Sequence, residues 1–346
     1  MAEAATLYAG TAATKDGGAG GLFRRAPGGD WQHVFTAADV HAITLHPRDP
    51  ATVFIGTKDG PYRSGDRGAT WERLGFPDRG VQVWSLLFDP ADPRTVFAGT
   101  APVAVYRSED GGAHFKRMPD PGLPERVRMD FPCRVMRFAA QGTDLYATLE
   151  VNGAMRSRDN GESWTDCSAD LVRLADQPHL KSRILSDTET EGMLDGHAIA
   201  MTPADPGAVF LAVRMGIFRS TDQGRSWKDI EVGRFSPYTY GRDLRVSPSD
   251  PKVMYAALSV AARSQAGALF RSDDLGASWR RFDKVTPHAT VMAIALHPGD
   301  AAQVAIAARH GEVFATADAG ATWQALPLPP AGRDVYALAC GEGETP

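Results

Sequence analysis

Residues 64–74 read SGDRGATWERL, and five further stretches of the chain read nearly the same. They are SEDGGAHFKRM from Ser108, SRDNGESWTDC from Ser157, STDQGRSWKDI from Ser220, SDDLGASWRRF from Ser272 and TADAGATWQAL from Thr316. The steps between them are 44, 49, 63, 52 and 44 residues. Within each copy the Asp side chain can accept N–H bonds across its own turn. The Gly two places on can take the left-handed backbone that other residues avoid. The aromatic residue that follows can anchor the next strand in apolar packing.

Working back from each copy gives a constant order. Before Ser64 come an apolar run at 41–45, a Pro-Asp turn, a second run at 53–57, a glycine turn and a third run ending at Ser64; WERL then supplies a fourth. Short β-rich runs separated by Gly, Pro and Asp turns predict antiparallel four-stranded units. Four strands at this period mark a β-propeller. Units are predicted at 40–75, 83–118, 134–167, 196–230, 242–282 and 291–326. A further partial unit lies at 5–34 and lacks its first strand, while 335–340 (VYALAC) reads as a first strand with nothing after it. Pairing the two closes the ring and removes two exposed sheet edges. The prediction is all-β: one domain over 1–346, a single seven-bladed propeller of four-stranded blades.

Composition bounds the function. The formal net charge is −5 with both signs mixed along the chain, which argues against a nucleic-acid or anionic-membrane surface. Cys133, Cys167 and Cys340 form neither a metal-type pair nor a disulfide framework, so a reducing, cytoplasmic setting is expected. The first residues, MAEAATLYAG, lack the basic and apolar regions of a signal peptide. No run is long and apolar enough for a membrane span.

The repeated Ser/Thr-x-Asp-x-Gly-x-Thr/Ser-Trp stretch resembles the Asp-box, or BNR repeat, of sialidases and many other propellers, with six copies between 64 and 323. The resemblance implies that Asp66, Asp110, Asp159, Asp222, Asp274 and Asp318 shape turns away from the ligand face. Identical groups spread round a ring do not make a catalytic centre, so these six aspartates are assigned to folding. Three Asp-box groups bear on function. Sialidases imply an arginine triad with a Tyr/Glu pair, but they have six blades, and their Phe-Arg-Ile-Pro signature is replaced here by FRRAP at 23–27. Xyloglucan-active glycosidases use two propellers. Photosystem II assembly factors match in blade count and length, and bind protein without catalysis.

Function is then sought where the repeats stop agreeing. Aligning the first strands by their apolar pattern puts His41, Trp84, Arg134, His197, Arg242, Met292 and Tyr336 at one position round one mouth of the channel. The ends of the second strands add Ala12, Lys58, Ala101, Glu150, Arg214, Ser259 and Arg309. Arg134, Arg214 and Arg242 thus gather on blades four to six, with Glu150 and His197 between them. Long links at 119–133, 168–195 and 231–241 flank the same sector, and long loops often carry function. Residues 168–177 open with a Ser/Asp cap and predict a short helix. The 168–195 link is read as a lid carrying His179, Arg183, Glu189, Glu191 and Asp195.

Converging guanidiniums suit a carboxylate or phosphate. The ligand-binding candidates are His41, Trp84, Arg134, Arg214, Arg242, Tyr240 and Tyr336. The catalytic candidates are Glu150, Glu191 and His197 as acid or base, with Tyr238 from the 231–241 loop. Cys133 adjoins Arg134 but reads as a buried thiol. A metal on His41, His197 and Glu150 has no short-spacing ligand pair behind it, so no metal or cofactor is expected. The sequence favours a hydrolase or lyase of glycosidase type, without true sialidase activity, acting on a small anionic molecule or carbohydrate at the mouth. The alternative is a non-catalytic propeller that binds a protein or glycan.

Overall fold

A computed structural model describes residues 5–343. Seven four-stranded antiparallel sheets stand round a central channel, each with its first strand innermost. The first blade is built from both ends of the chain: Asp334–Glu342 lies innermost beside Ala5–Ala12, followed by Gly21–Arg25 and Trp31–Phe35. The closure expected from VYALAC is therefore the closure observed. The other innermost strands are Val40–Leu45, Gln82–Phe88, Val135–Gln141, Gly196–Met201, Tyr240–Val246 and Val291–Leu296.

The blades are held face to face. Seven clusters of buried apolar residues form, and each bridges two neighbouring blades. Tyr8 and Leu22 of blade one meet Val40 and Ile55 of blade two; Leu7, Phe23 and Leu338 meet Ala293 and Ala305 of blade seven. Both faces of each sheet are covered, so the second strands, such as Val53–Thr57 and Val209–Val213, are buried along their whole length. Continuous apolar runs rather than strict alternation follow from that.

The repeated turns show why their residues recur. Ser64 Oγ donates to Asp66 Oδ1 at 2.8 Å and accepts the Gly68 N–H at 2.7 Å. Asp66 in turn accepts the Thr70 N–H at 2.8 Å and the Thr70 hydroxyl at 2.6 Å. These donors, the Thr70 hydroxyl above all, hold the Asp66 carboxyl down at about 2. The same network recurs around Asp110, Asp159, Asp222, Asp274 and Asp318. The glycine is needed for space as well as for backbone: a Cβ on Gly320 would lie 2.2 Å from Phe282, on the preceding blade. The residue before it is left-handed too, in five copies a non-glycine such as Arg67 or Ala319, which the sequence does not mark.

The long links fold onto the face where the innermost strands begin. Ala169–Leu174 is helical, but Ser168 does not cap it. Ser168 is buried and its hydroxyl bonds the blade instead, donating to Asn152 O at 3.0 Å and accepting the Ala154 N–H at 3.0 Å. Val127, Leu171, Leu180, Met193 and Leu194 pack the 119–133 and 168–195 links together over blades four and five. Among the described residues no helix is long and apolar enough to cross a membrane.

Candidate functional site at the channel mouth

Each innermost strand carries one register shift against its neighbour, and the residue at each shift lines the channel. These seven residues are His41, Trp84, Met136, His197, Arg242, Met292 and Tyr336. A bulge adds a residue that has no partner and re-aims its side chain. Here it turns one side chain per blade into the channel, which encloses about 400 Å³.

In blade four the bulge falls at Met136, two residues beyond the Arg134 that the apolar pattern aligned. The cause is the period of a strand. A shift of two residues leaves every side chain on its original face, so hydrophobicity cannot detect it. Arg134 belongs to a second ring, two residues before the bulges, made of Asp39, Gln82, Arg134, Asp195, Tyr240, Thr290 and Asp334.

This rim ring faces the ends of the second strands, and most of its charges are matched there. Asp39 meets Lys58 at 3.3 Å, Asp195 meets Arg214 at 2.6 Å, and Arg134 Nε meets Glu150 Oε2 at 2.5 Å. In blade four the polarity is reversed: the cation is on the inner strand. Arg309 of blade seven pairs with Asp334 of blade one. Arg134 and Arg214 therefore do not form a free clamp, because each is held by a carboxylate of its own blade.

The aromatic candidates are also engaged. Trp84 is 8 % exposed; His41 stacks on it at 3.9 Å, and the Arg134 guanidinium lies 4.0 Å from its ring centre. Trp84 thus braces the rim and offers little face to a sugar. Burial pushes the His41 imidazole down to about 4, which keeps it neutral. Tyr336 stands edge-on to both rings, lines the channel, and its hydroxyl makes no hydrogen bond among the described residues.

On blades five and six a buried cluster forms. His197 Nδ1 donates to the Gly241 carbonyl at 2.9 Å, since a carbonyl only accepts. Nε2 then faces the Tyr240 hydroxyl at 3.2 Å, with Asp195 Oδ2 at 3.4 Å. Burial pushes the Tyr240 phenol up to about 12. Burial opposes ionisation of Asp195, yet His197, Arg214 and Arg242 outweigh it and hold the carboxyl well below its usual range. Glu150 is shifted the other way: burial outweighs Arg134, and Asp195 nearby adds to the rise. Asp195 was visible in the sequence only as one of several charges on the 168–195 link.

Arg242 is the exception to the pairing. It lines the channel and has no hydrogen bond or ion pair among the described residues. Burial opposes its charge, but Tyr240, Glu150, Tyr336 and Asp195 together favour it and raise its pKa.

The remaining candidates lie elsewhere or are occupied. Tyr238 packs among apolar residues between blades five and six, with the Arg281 guanidinium 5.8 Å from its ring; it is not brought to the mouth. Glu191 Oε2 accepts the N–H groups of Ile184, Leu185 and Ser186 at 2.9, 3.1 and 3.0 Å and the Ser186 hydroxyl at 2.8 Å. Its carboxylate staples the 168–195 link, and those donors outweigh burial and lower its pKa. Cys133 Sγ donates to the Glu150 carbonyl, and burial pushes the thiol up to about 12. Among the described residues no group of three or more His, Cys, Asp or Glu side chains is placed to hold a metal.

Ring and channel define a seven-bladed β-propeller with a polar mouth. No family model matches the chain. A xyloglucanase of Paenibacillus sp is 30% identical over 152 residues, which is 40% of this chain and 13% of that protein. Xyloglucanase Xgh74A of Acetivibrio thermocellus is 24% identical over 154 residues, 40% of this chain and 16% of that protein. The chain thus spans a small part of the curated relatives it matches. Among solved structures, the GH74 xyloglucanase of Xanthomonas campestris superposes with a TM-score of 0.62 at 17% identity, covering 83% of this chain and 45% of that one. YCF48 from Cyanidioschyzon merolae superposes with a TM-score of 0.57 at 16% identity, covering 86% and 87%. These superpositions show the fold.

Proposed function

We propose that this propeller binds an anionic small molecule, such as an acidic sugar, at the channel mouth, with Arg242 taking its carboxylate or phosphate. One observation carries the reading: Arg242 is the mouth guanidinium left without a carboxylate, inside a channel where the other rim cations are paired. A guanidinium presents a rigid fork that matches a planar oxyanion, and a charge held in a recess gains from a bound partner. Tyr336 offers a free hydroxyl beside it, and His197 and Tyr240 form the wall. Glu150, Arg134, Arg214, His41 and Trp84 hold that wall in place. The repeated turns are those of an Asp-box propeller and serve the fold. YCF48, matched along most of its length, has been solved bound to a D1 peptide, which supports a binding role for a single propeller of this size. The test is calorimetric titration of glucuronate and of inorganic phosphate into the protein and Arg242→Ala. Binding that weakens about tenfold or more in the variant is expected; no binding to the protein, or equal binding to the variant, refutes the reading.

A second reading, hydrolysis of a carbohydrate, is favoured by the opposite pKa shifts of Glu150, raised by burial, and Asp195, lowered by His197 and Arg214 against burial. Carboxyls pushed apart in pKa can divide acid and base roles, and the xyloglucanase similarity points to the same chemistry. It requires release of reducing sugar from xyloglucan oligosaccharides or an aryl glucuronide, abolished by Glu150→Gln. No release from either substrate refutes it.

A further inference from the structure

Below the mouth the channel changes character. Arg137, Asp243 and Arg245 come from the innermost strands of blades four and six, and Asp243 is fully buried. Its oxygens are saturated: Oδ1 takes the Leu244 N–H at 2.9 Å and Arg137 Nη2 at 3.2 Å, and Oδ2 takes the Ile294 N–H at 2.9 Å and Arg245 Nε at 3.1 Å. Two guanidiniums share one carboxylate, so this waist carries an uncompensated positive charge. Arg245 commits only its Nε, and the buried Arg137 Nε has no hydrogen-bond partner. At about 3.3 Å per strand residue, Arg245 lies roughly 10 Å below Arg242, beyond the mouth site.

From Arg245 downward an apolar band comes first, and His46, Arg48, Asp49 and Glu342 line the polar opening beyond it. Ile43, Leu45, Val246 and Leu296, all partly exposed, line a cavity of about 560 Å³ that opens at the far mouth between proline turns. That volume falls within the range of small-molecule sites. A positive charge in excess above and an apolar band directly below it select a ligand with both features.

We propose that the lower half of the channel binds an amphipathic organic anion, its oxyanion head on Arg245 and Arg137 and its apolar tail running toward the far mouth. The test is calorimetry of decanoate on the intact protein, with decanol and inorganic phosphate as head-less and tail-less probes. Decanoate should bind saturably and at least about tenfold more tightly than either. Arg245→Gln should remove that advantage. Thr44→Asp should do the same by neutralising the waist; Thr44 lines it, takes no part in the Asp243 network, and is already polar, and a thermal melt matching the parent's checks that the variant is folded. The proposal is overturned if decanoate does not bind, if decanol or phosphate binds equally well, or if Thr44→Asp binds decanoate unchanged. Titrating glucuronate into the same preparations reads the upper site separately, so the failure of one site is distinct from the failure of the other.

Discussion

The reversed ion pair of blade four yields a quantitative test of how the rim is built. Arg134 and Glu150 are 19% and 17% exposed at the side chain and touch at 2.5 Å. Breaking a pair this buried by altering one partner costs about 3–5 kcal/mol. Arg134 also stacks over Trp84 at 4.0 Å, a contact worth about 1 kcal/mol. Arg134→Glu should therefore destabilise the protein by about 4–6 kcal/mol, since it sets two carboxyls together and removes the stacked cation. Combining it with Glu150→Arg restores opposite charges in the polarity that blades two and five already use. The double variant should recover the pair's share of about 3–5 kcal/mol and keep a deficit of about 1 kcal/mol, the share of the lost stacking. Urea denaturation followed by the fluorescence of the seven tryptophans measures all of these free energies. If the double variant is no more stable than Arg134→Glu alone, the pair does not hold the rim, and the account of its charge matching is wrong.

Three other outcomes follow from the same structure. Leu338→Ala empties a 4 %-exposed site in the strand that closes the ring, so a loss of about 2–5 kcal/mol is expected in denaturant titration; a change below about 0.5 kcal/mol would show that the closing strand is not integral to the fold. Glu191→Gln weakens a carboxylate that accepts four donors from residues 184–186, and hydrogen exchange at those amides should quicken while the blades stay protected. The Asp66, Asp159, Asp222 and Asp318 carboxyls are held at about 2 in the folded protein. Their contribution is therefore complete above the unfolded value of about 3.9 and is lost as pH falls toward 2. Asp66→Asn should flatten that part of the stability curve, and an unchanged slope between pH 4 and 2 would contradict the turn network.

The propeller was legible in the sequence because its signals are local and repeated. A Ser-x-Asp-x-Gly turn builds itself from four neighbouring residues, and the spacing of the copies counts the blades. Closure was legible for a different reason: VYALAC is a first strand without a blade, and ATLYAGT begins a blade without a first strand. What the sequence concealed was register. Phe138 falls on an apolar position of the pattern, with Met136 before it or Ala140 after it, whether Arg134 or Met136 is set at the bulge, since both alignments keep the same faces buried. The decisive signal was charge rather than hydrophobicity. Lys58, Glu150 and Arg214 occupy one position at the ends of the second strands, and opposite charges stand across the ladder from each at Asp39, Arg134 and Asp195. Cross-strand complementarity of that kind sets register, and it places Arg134 with the rim aspartates.

That correction also explains why Arg242 is free. A cation at the mouth is neutralised when a rim position within reach carries an unspent carboxylate. In blade six the rim position is Tyr240 and its opposite is Ser259, so the blade supplies none. The flanking blades do not supply one either. Asp195 of blade five is committed to Arg214 and His197. Blade seven offers Thr290 opposite Arg309, and that arginine already draws on Asp334 of blade one. Three adjacent blades thus hold no spare acid on the side that Arg242 faces. A partly buried cation without its own partner is costly wherever packing alone is at stake, and a methionine, as at Met136 and Met292, would fill the same bulge without that cost. The guanidinium at position 242 is thus the feature on which the proposed anion site rests, and Arg242→Met is its packing control: a variant that gains stability and loses glucuronate binding is the outcome the proposal expects.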